Sequence, residues 1–159
     1  MATDIFAKIG DIKGESMDAR HRDEIEVSSF SWGVSNPGAA FPGGGGGVGR
    51  ATFQDLSFVH GIDKATPALL RACATGTHIR DATITHRKAG GGQQEYLIVR
   101  LNDVVVSSVT QVGTDDQPYS EAVTLKFGKV DLEYRPQRPD GSLDPGVHFT
   151  FDLEANRAG

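Results

Sequence analysis

The sequence predicts a mainly β fold, a compact antiparallel barrel or sandwich with one short α-helix alongside. Three observations predict it. Most of the chain alternates apolar and polar residues with period two. Only one segment carries a strong helix signal, and Gly, Pro and Asp clusters punctuate the rest. At 159 residues the chain is long enough for a single domain with a real core, and no repeat or linker divides it.

The elements follow in order. Ile5, Ala7 and Ile9 share the first strand's apolar face. Ile25 to Val34 is the second strand, and it breaks its own rule. Ile25 and Val27 have one parity; Phe30, Trp32 and Val34 have the other. One extra residue near Ser28 or Ser29 restores the face, so a β-bulge that helps close a barrel is predicted there. A loop from Asn36 to Arg50 follows, with five consecutive glycines, Gly43 to Gly47. A glycine run loses more backbone entropy on ordering than other sequences do. Such a loop is predicted to order against a partner rather than within its own fold. Ala51 to Phe58 reads as strand.

Thr66 can cap a helix, Pro67 suits its first position, and Gly76 supplies a left-handed stop. Leu69, Leu70 and Cys73 form the expected apolar stripe. Ala89 to Gln93 is a glycine turn. Tyr96 to Leu101 and Val104 to Val109 are continuously apolar, as expected of strands covered on both sides or packed at an interface. Val123, Leu125 and Phe127 alternate with polar neighbours, as do Val130, Leu132 and Tyr134. Turns at Pro139 to Gly141 and Asp144 to Gly146 lead to the last strand, with Val147, Phe149, Phe151 and Leu153 on one face.

Bulk properties exclude several classes. Hydrophobic content is 38% and charged content 23%, typical of a folded globular chain. No apolar run is long enough to span a bilayer, so no membrane insertion is expected. The N-terminus carries acidic residues where a secretory signal has its apolar stretch. Export, if it occurs, is expected to use no N-terminal signal. The one cysteine, Cys73, excludes an intrachain disulfide. Net charge is −5 with scattered cations, which argues against nucleic acid as a partner.

No catalytic constellation emerges. Gly44, Gly46 and Gly49 fit a nucleotide-binding spacing, but a strand follows where a helix should begin. His78 and His86 on one strand stand roughly 26 Å apart at about 3.3 Å per residue, too far to share a metal. The histidines read as solvated or hydrogen-bonded. Asp131 and Glu133 lie on a wet strand face, and Asp115 and Asp116 in a loop. No nucleophile elbow is present. An enzyme is therefore not expected, nor any cofactor or metal. The alternative class is a β-barrel hydrolase or ligand-binding protein, which turnover on a substrate panel would favour. Opposite Phe30, Trp32 and Val34 stand the small residues Ser29, Ser31 and Gly33, over which another surface could pass closely.

The residues resemble a known family, Hcp, the tube protein of type VI secretion systems. The resemblance runs from Asp4-Ile-Phe-Ala-Lys-Ile-Gly-Asp-Ile-Lys-Gly-Glu-Ser16 through Glu24-Ile-Glu-Val27, Ser31-Trp-Gly33 and the glycine run. It continues through Gln54-Asp-Leu-Ser-Phe58, Ile62-Asp-Lys-Ala-Thr-Pro67, Arg87-Lys-Ala-Gly90, Glu95-Tyr-Leu-Ile98 and Val106-Ser-Ser-Val109. The tail after Tyr134 is the least family-like part. The resemblance implies one Hcp-like β-barrel domain of two sheets over residues 1–159, with a protruding loop at 36–50. It implies a homohexameric ring that stacks into a tube, inside a contractile sheath and beneath a VgrG-type spike. It also implies effector proteins as lumen cargo, with the ring as their chaperone. The protein would be cytoplasmic during assembly, then secreted to the medium or a target cell without a signal peptide. Ser29, Ser31 and Gly33 would face the lumen, and Gly43, Gly44, Gly45, Gly46, Gly47 and Val48 would meet the neighbouring ring. Only a short tail follows the last strand before Gly159, so no enzymatic extension is expected.

Overall fold

The computed structural model describes residues 3–37, 51–89 and 92–159. The glycine run and Val48 lie outside the described residues, as does part of the Ala89 to Gln93 turn. Among the described residues the strands are β1 (Thr3–Ile9), β2 (Ile25–Val27), β3 (Ser29–Ser31), β4 (Val34–Ser35), β5 (Thr52–Phe53) and β6 (Leu56–Gly61). The helix α1 (Thr66–Thr75) follows. Then come β7 (His78–Lys88), β8 (Glu95–Thr114), β9 (Gln117–Tyr134), β10 (Val147–Asp152) and β11 (Arg157–Ala158). The mainly β class with one helix is as the sequence predicts.

One sheet runs β11-β10-β9-β8-β7-β1-β2, entirely antiparallel, and β4 pairs separately with β5. Strand β6 joins the N-terminal half of β9 and carries β3 on its other side. The long β8–β9 ladder thus belongs to two layers, and the core lies between them. Phe58, Leu56 and Leu125 from one layer are fully buried with Ile9, Ile84 and Leu101 from the other. Hydrogen bonding does not close this sheet into a barrel: its path ends at β2 and β11. The two layers are joined where β8 and β9 bend and where β2 runs into β3.

The parity change in the second segment occurs at Ser28, but not as a bulge within one ladder. The chain changes partner there. Strand β2 pairs with β1, whereas β3 pairs with β6. Ser28 sits at the crossing, and both its N–H and its Oγ donate to the Val59 carbonyl, at 2.8 and 2.9 Å. Ile25 and Val27 reach the core from one layer, and Phe30 packs onto it from the other.

Tyr96 to Leu101 and Val104 to Val109 are one strand rather than two. Asp103 kinks it with a positive φ of 55°, which aspartate tolerates better than most residues. Gly128 lies opposite; a Cβ there would stand 3.1 Å from the Asp103 Cβ, tighter than an ordinary contact. Further along, the alternation predicted for β9 reverses. Tyr134 is exposed, and Glu133 is buried, where it accepts from Arg135 Nε at 2.9 Å and Arg100 Nη1 at 3.1 Å. These guanidiniums, Arg135 first, hold the Glu133 carboxyl below its usual range. Glu133 is therefore not on a wet face. Val147 and Phe149 are exposed as well, so only Phe151 and Leu153 of the last predicted apolar face pack on the core.

The helix begins and ends nearly where predicted, with different details. Thr66 is not the cap. It is buried, and its Oγ1 donates to Glu121 Oε1 at 3.1 Å. The N-cap is Ala65, with no side-chain cap; Asp63 Oδ1 accepts the Ala65 N–H at 2.9 Å just ahead of the helix. The buried stripe is Thr66, Leu69 and Ala72, one turn apart, leaving Leu70 exposed. Gly76 is left-handed, φ 63°. The N–H groups of Gly76 and Thr77 return to Cys73 and Ala72, a Schellman stop.

Candidate functional site

Antiparallel partners project side chains to the same face, so the register alone builds a surface on the second layer. Ser29 lies opposite Val59, which lies opposite Ala122, which lies opposite Thr110. One row on, Ser31 pairs with Ser57, Ser57 with Thr124, and Thr124 with Ser108. Two rows thus cross four strands, and no side chain in them exceeds valine. The opposite side of the same strands holds Phe58, buried in the core, and Phe30, edge-on to His86 at 4.3 Å. Large residues point inward and small ones outward because period-two strands offer each face its own residue set.

Hydroxyls saturate one another across this face. The register shifts between Val106 and Ser108, so Ser107 is an inserted residue beside Thr124. Ser107 Oγ donates to Asp55 Oδ2 at 2.7 Å and lies 2.7 Å from Thr124 Oγ1, which lies 2.6 Å from Ser108 Oγ. The result is a flat polar wall with few long side chains to order when another surface arrives. Such a wall loses little side-chain entropy on contact. It suits passage or holding of a protein better than chemistry on a small molecule.

The structure brings Ser29 and Ser31 together on this wall, both exposed. Gly33 lies outside β3, at the margin. Its carbonyl accepts the Gln54 N–H at 2.9 Å, and among the described residues a Cβ there would touch only the Gln54 side chain. Sequence reasoning missed Ser57, Thr124, Ser108 and Thr110. Their signal was present as small or hydroxyl residues on wet strand parities, but their adjacency depends on strand pairing across the chain.

Beneath the wall lies a buried polar cluster. His60 Nε2 meets Glu121 Oε1 at 2.7 Å, and both side chains are fully buried. Thr66 Oγ1 and Gln111 Nε2 also donate to the Glu121 carboxylate. Asp63 stands 3.7 Å from His60 Nδ1, and burial pushes its carboxyl up. The cluster ties β6, β8, β9 and the helix start together. A second buried histidine, His21, stacks on Phe6 at 4.4 Å and bridges Glu24 and Glu95. It pins the segment after β1 over the outer sheet face. Arg87 helps by bonding Asp4 and Asp18 while lying over the Phe6 ring. His86 departs from the expected solvated or hydrogen-bonded histidine. It is buried, and among the described residues neither ring nitrogen has a well-formed hydrogen bond. Burial holds its pKa below the usual value, opposed only in part by the Leu97 backbone. Among the described residues, no cluster of His, Cys, Asp and Glu could hold a metal ion.

Comparison with known proteins places this architecture. Residues 6–134 match the family model described as type VI secretion system effector, Hcp. The chain belongs to the Hcp family. It is 48% identical over 159 residues to the protein hcp1 of Pseudomonas aeruginosa, covering 98% of each chain. The crystal structure of Hcp1 from Salmonella typhimurium superposes with a TM-score of 0.80 at 36% identity, covering 100% of both chains. A type VI secretion system effector from Yersinia pestis gives 0.77 at 31% identity, covering 94% of this chain and 99% of that one. Hcp proteins are structural, secreted components of type VI secretion rather than enzymes. No helix among the described residues is long and apolar enough to cross a membrane.

Proposed function

We propose that this Hcp chain is a subunit of the type VI inner tube: six copies form a ring around a lumen, and rings stack. A VgrG-type spike caps the tube, a contractile sheath surrounds it, and contraction carries the protein out of the cytoplasm without a signal peptide. Residues 1–159 act as one domain, and the Gly43 to Val48 segment contacts the adjacent ring. The wall containing Ser29 and Ser31 faces the lumen and holds effector cargo, with Gly33 at its edge. The observation that carries this reading is the pair of small-residue rows across β3, β6, β9 and β8. A lumen wall must let unlike proteins pass close without gripping any one of them, and short hydroxyl side chains do that.

The test is to replace Ser31 with Phe. The ring should survive, because Ser31 is exposed and its neighbours are small. Retention of a co-expressed effector should fall by about tenfold, equivalent to ~1.4 kcal/mol. Unchanged co-purification would reject Ser31 as a cargo contact.

A further inference from the structure

The buried histidines differ in what they face. His21 and His60 each meet a carboxylate at 2.7 Å. His86 is 4% exposed, and among the described residues its ring nitrogens have no such partner. The strand pairings explain why. His86 shares one interior row with Val27, Ile5, Leu97, Tyr134 and Val147. Neither this row nor the next, at Ile84, holds a carboxylate. Asp4 and Glu95 are close in the ladder but turn to the opposite face, where they bind Arg87 and His21. The titratable groups on the His86 side are Lys88 and the Tyr96 and Tyr134 phenols. The Tyr96 ring stands 6.4 Å from the imidazole and has the Lys88 ammonium 5.7 Å from its centroid. A second cation there would meet repulsion and no counter-charge.

From the facing layer Phe30 reaches the imidazole, edge-on at 4.3 Å. Its row continues through Phe58 and Val123 and is wholly apolar. His60 and Glu121 lie one row further and bind each other. Phe30 is half-buried, so its departure brings water to His86. It is the middle residue of β3, which is three residues long and pairs, among the described strands, with β6 alone. The chain changes partner at Ser28 just before β3, and Gly33 follows soon after. A short edge strand is thus held to the core by one ring, and its outward residues are Ser29 and Ser31.

A neutral imidazole packs under Phe30 as an apolar ring, whereas an imidazolium buried without a partner is far costlier. With Phe30 withdrawn, the ring meets water and takes its proton near pH ~6.5. The closed form binds that proton less readily, since burial holds His86 below its usual value. Acid therefore favours the open form, by up to about tenfold per pH unit for one proton.

We propose that His86 is an acid-released latch on β3: neutral it seats Phe30, and protonated it frees the strand that carries Ser29 and Ser31. Its consequence for cargo, release from the wall in acid, rests on the tube-subunit reading; the latch itself does not. Amide hydrogen exchange tests the latch, with β1 as internal reference for the ordinary pH dependence of exchange. As pH falls from about 7.5 to about 5.5, β3 amides should lose protection relative to β1 amides by about tenfold or more. Trp32, the one tryptophan, follows β3 directly and packs on Phe127, so its fluorescence should shift over the same range. His86→Leu should abolish both changes. Equal pH dependence of β3 and β1 in the parent, or an unchanged response in the variant, overturns the latch. Should the variant fail to fold, proton resonances of the parent's imidazoles decide. A His86 that takes its proton at or above pH ~6.5 overturns the latch as well. A β3 that loosens in acid while a co-expressed effector stays bound confirms the latch and overturns the cargo-wall reading.

Discussion

At the scale of single residues, the polar groups set under the sheets carry the sharpest consequences. His60 and Glu121 are both fully buried and meet at 2.7 Å; the Glu121 carboxylate also receives Thr66 and Gln111, while His60 Nδ1 has no hydrogen-bond partner among the described residues. Removing one partner leaves an uncompensated polar group, whereas replacing both with apolar side chains of similar volume can be neutral. Glu121→Ala should therefore cost roughly 3–5 kcal/mol, read from urea unfolding, and the double variant His60→Phe/Glu121→Leu should recover most of the loss. A double variant as unstable as the single one would mean that the cluster does more than satisfy itself. Asp18 gives a pH signature. The Arg87 hydrogen bond lowers its carboxyl from 3.8 to about 2. A carboxyl depressed in the folded state stabilises fully above its unfolded value, and that contribution fades as pH falls from about 3.8 to about 2. Asp18→Asn should flatten the dependence of unfolding on pH in that window; an unaltered acid limb would contradict the pairing. Ser29 and Ser31 were legible as small residues opposite an apolar face. His60 and His21 were not legible as buried anchors, because their carboxylate partners lie up to 74 residues away in sequence.

Whole elements were legible where periodicity is local. Strand β1, the helix with its Gly76 stop, and the alternation of Val123, Leu125 and Phe127 follow from the sequence. The misreadings share a cause, which is partner choice. The parity break at Ser28 reads as a bulge in isolation, yet it is a change of pairing partner, since sequence does not say which strand lies alongside. Thr66 reads as a cap, but it is the helix's first residue with its hydroxyl given to the buried Glu121, and the N-cap is Ala65. Val147 and Phe149 read as core, but no described element covers them. The glycine segment belongs to this scale too. Removing Gly43 to Gly47 should leave isolated rings intact and impair their stacking, as seen by comparing ring and tube populations in micrographs. Loss of the rings themselves would place the segment within the ring contact instead.

For the whole molecule, the bent β8–β9 ladder supplies the two faces that the proposed tube subunit would use. It provides an outward wall of small hydroxyl residues and an interior face that outruns its own core at both ends. The first suits loose contact with varied cargo, and the second suits contact with copies of the chain. Net charge of −5 gives only weak long-range repulsion between copies, so assembly should rest on short-range contacts and tolerate salt. The most direct measurement is electron microscopy of the purified protein over a wide concentration range. The account predicts six-fold rings with an open centre, some of them stacked. Fields of lone single-chain particles at the highest concentration would contradict it.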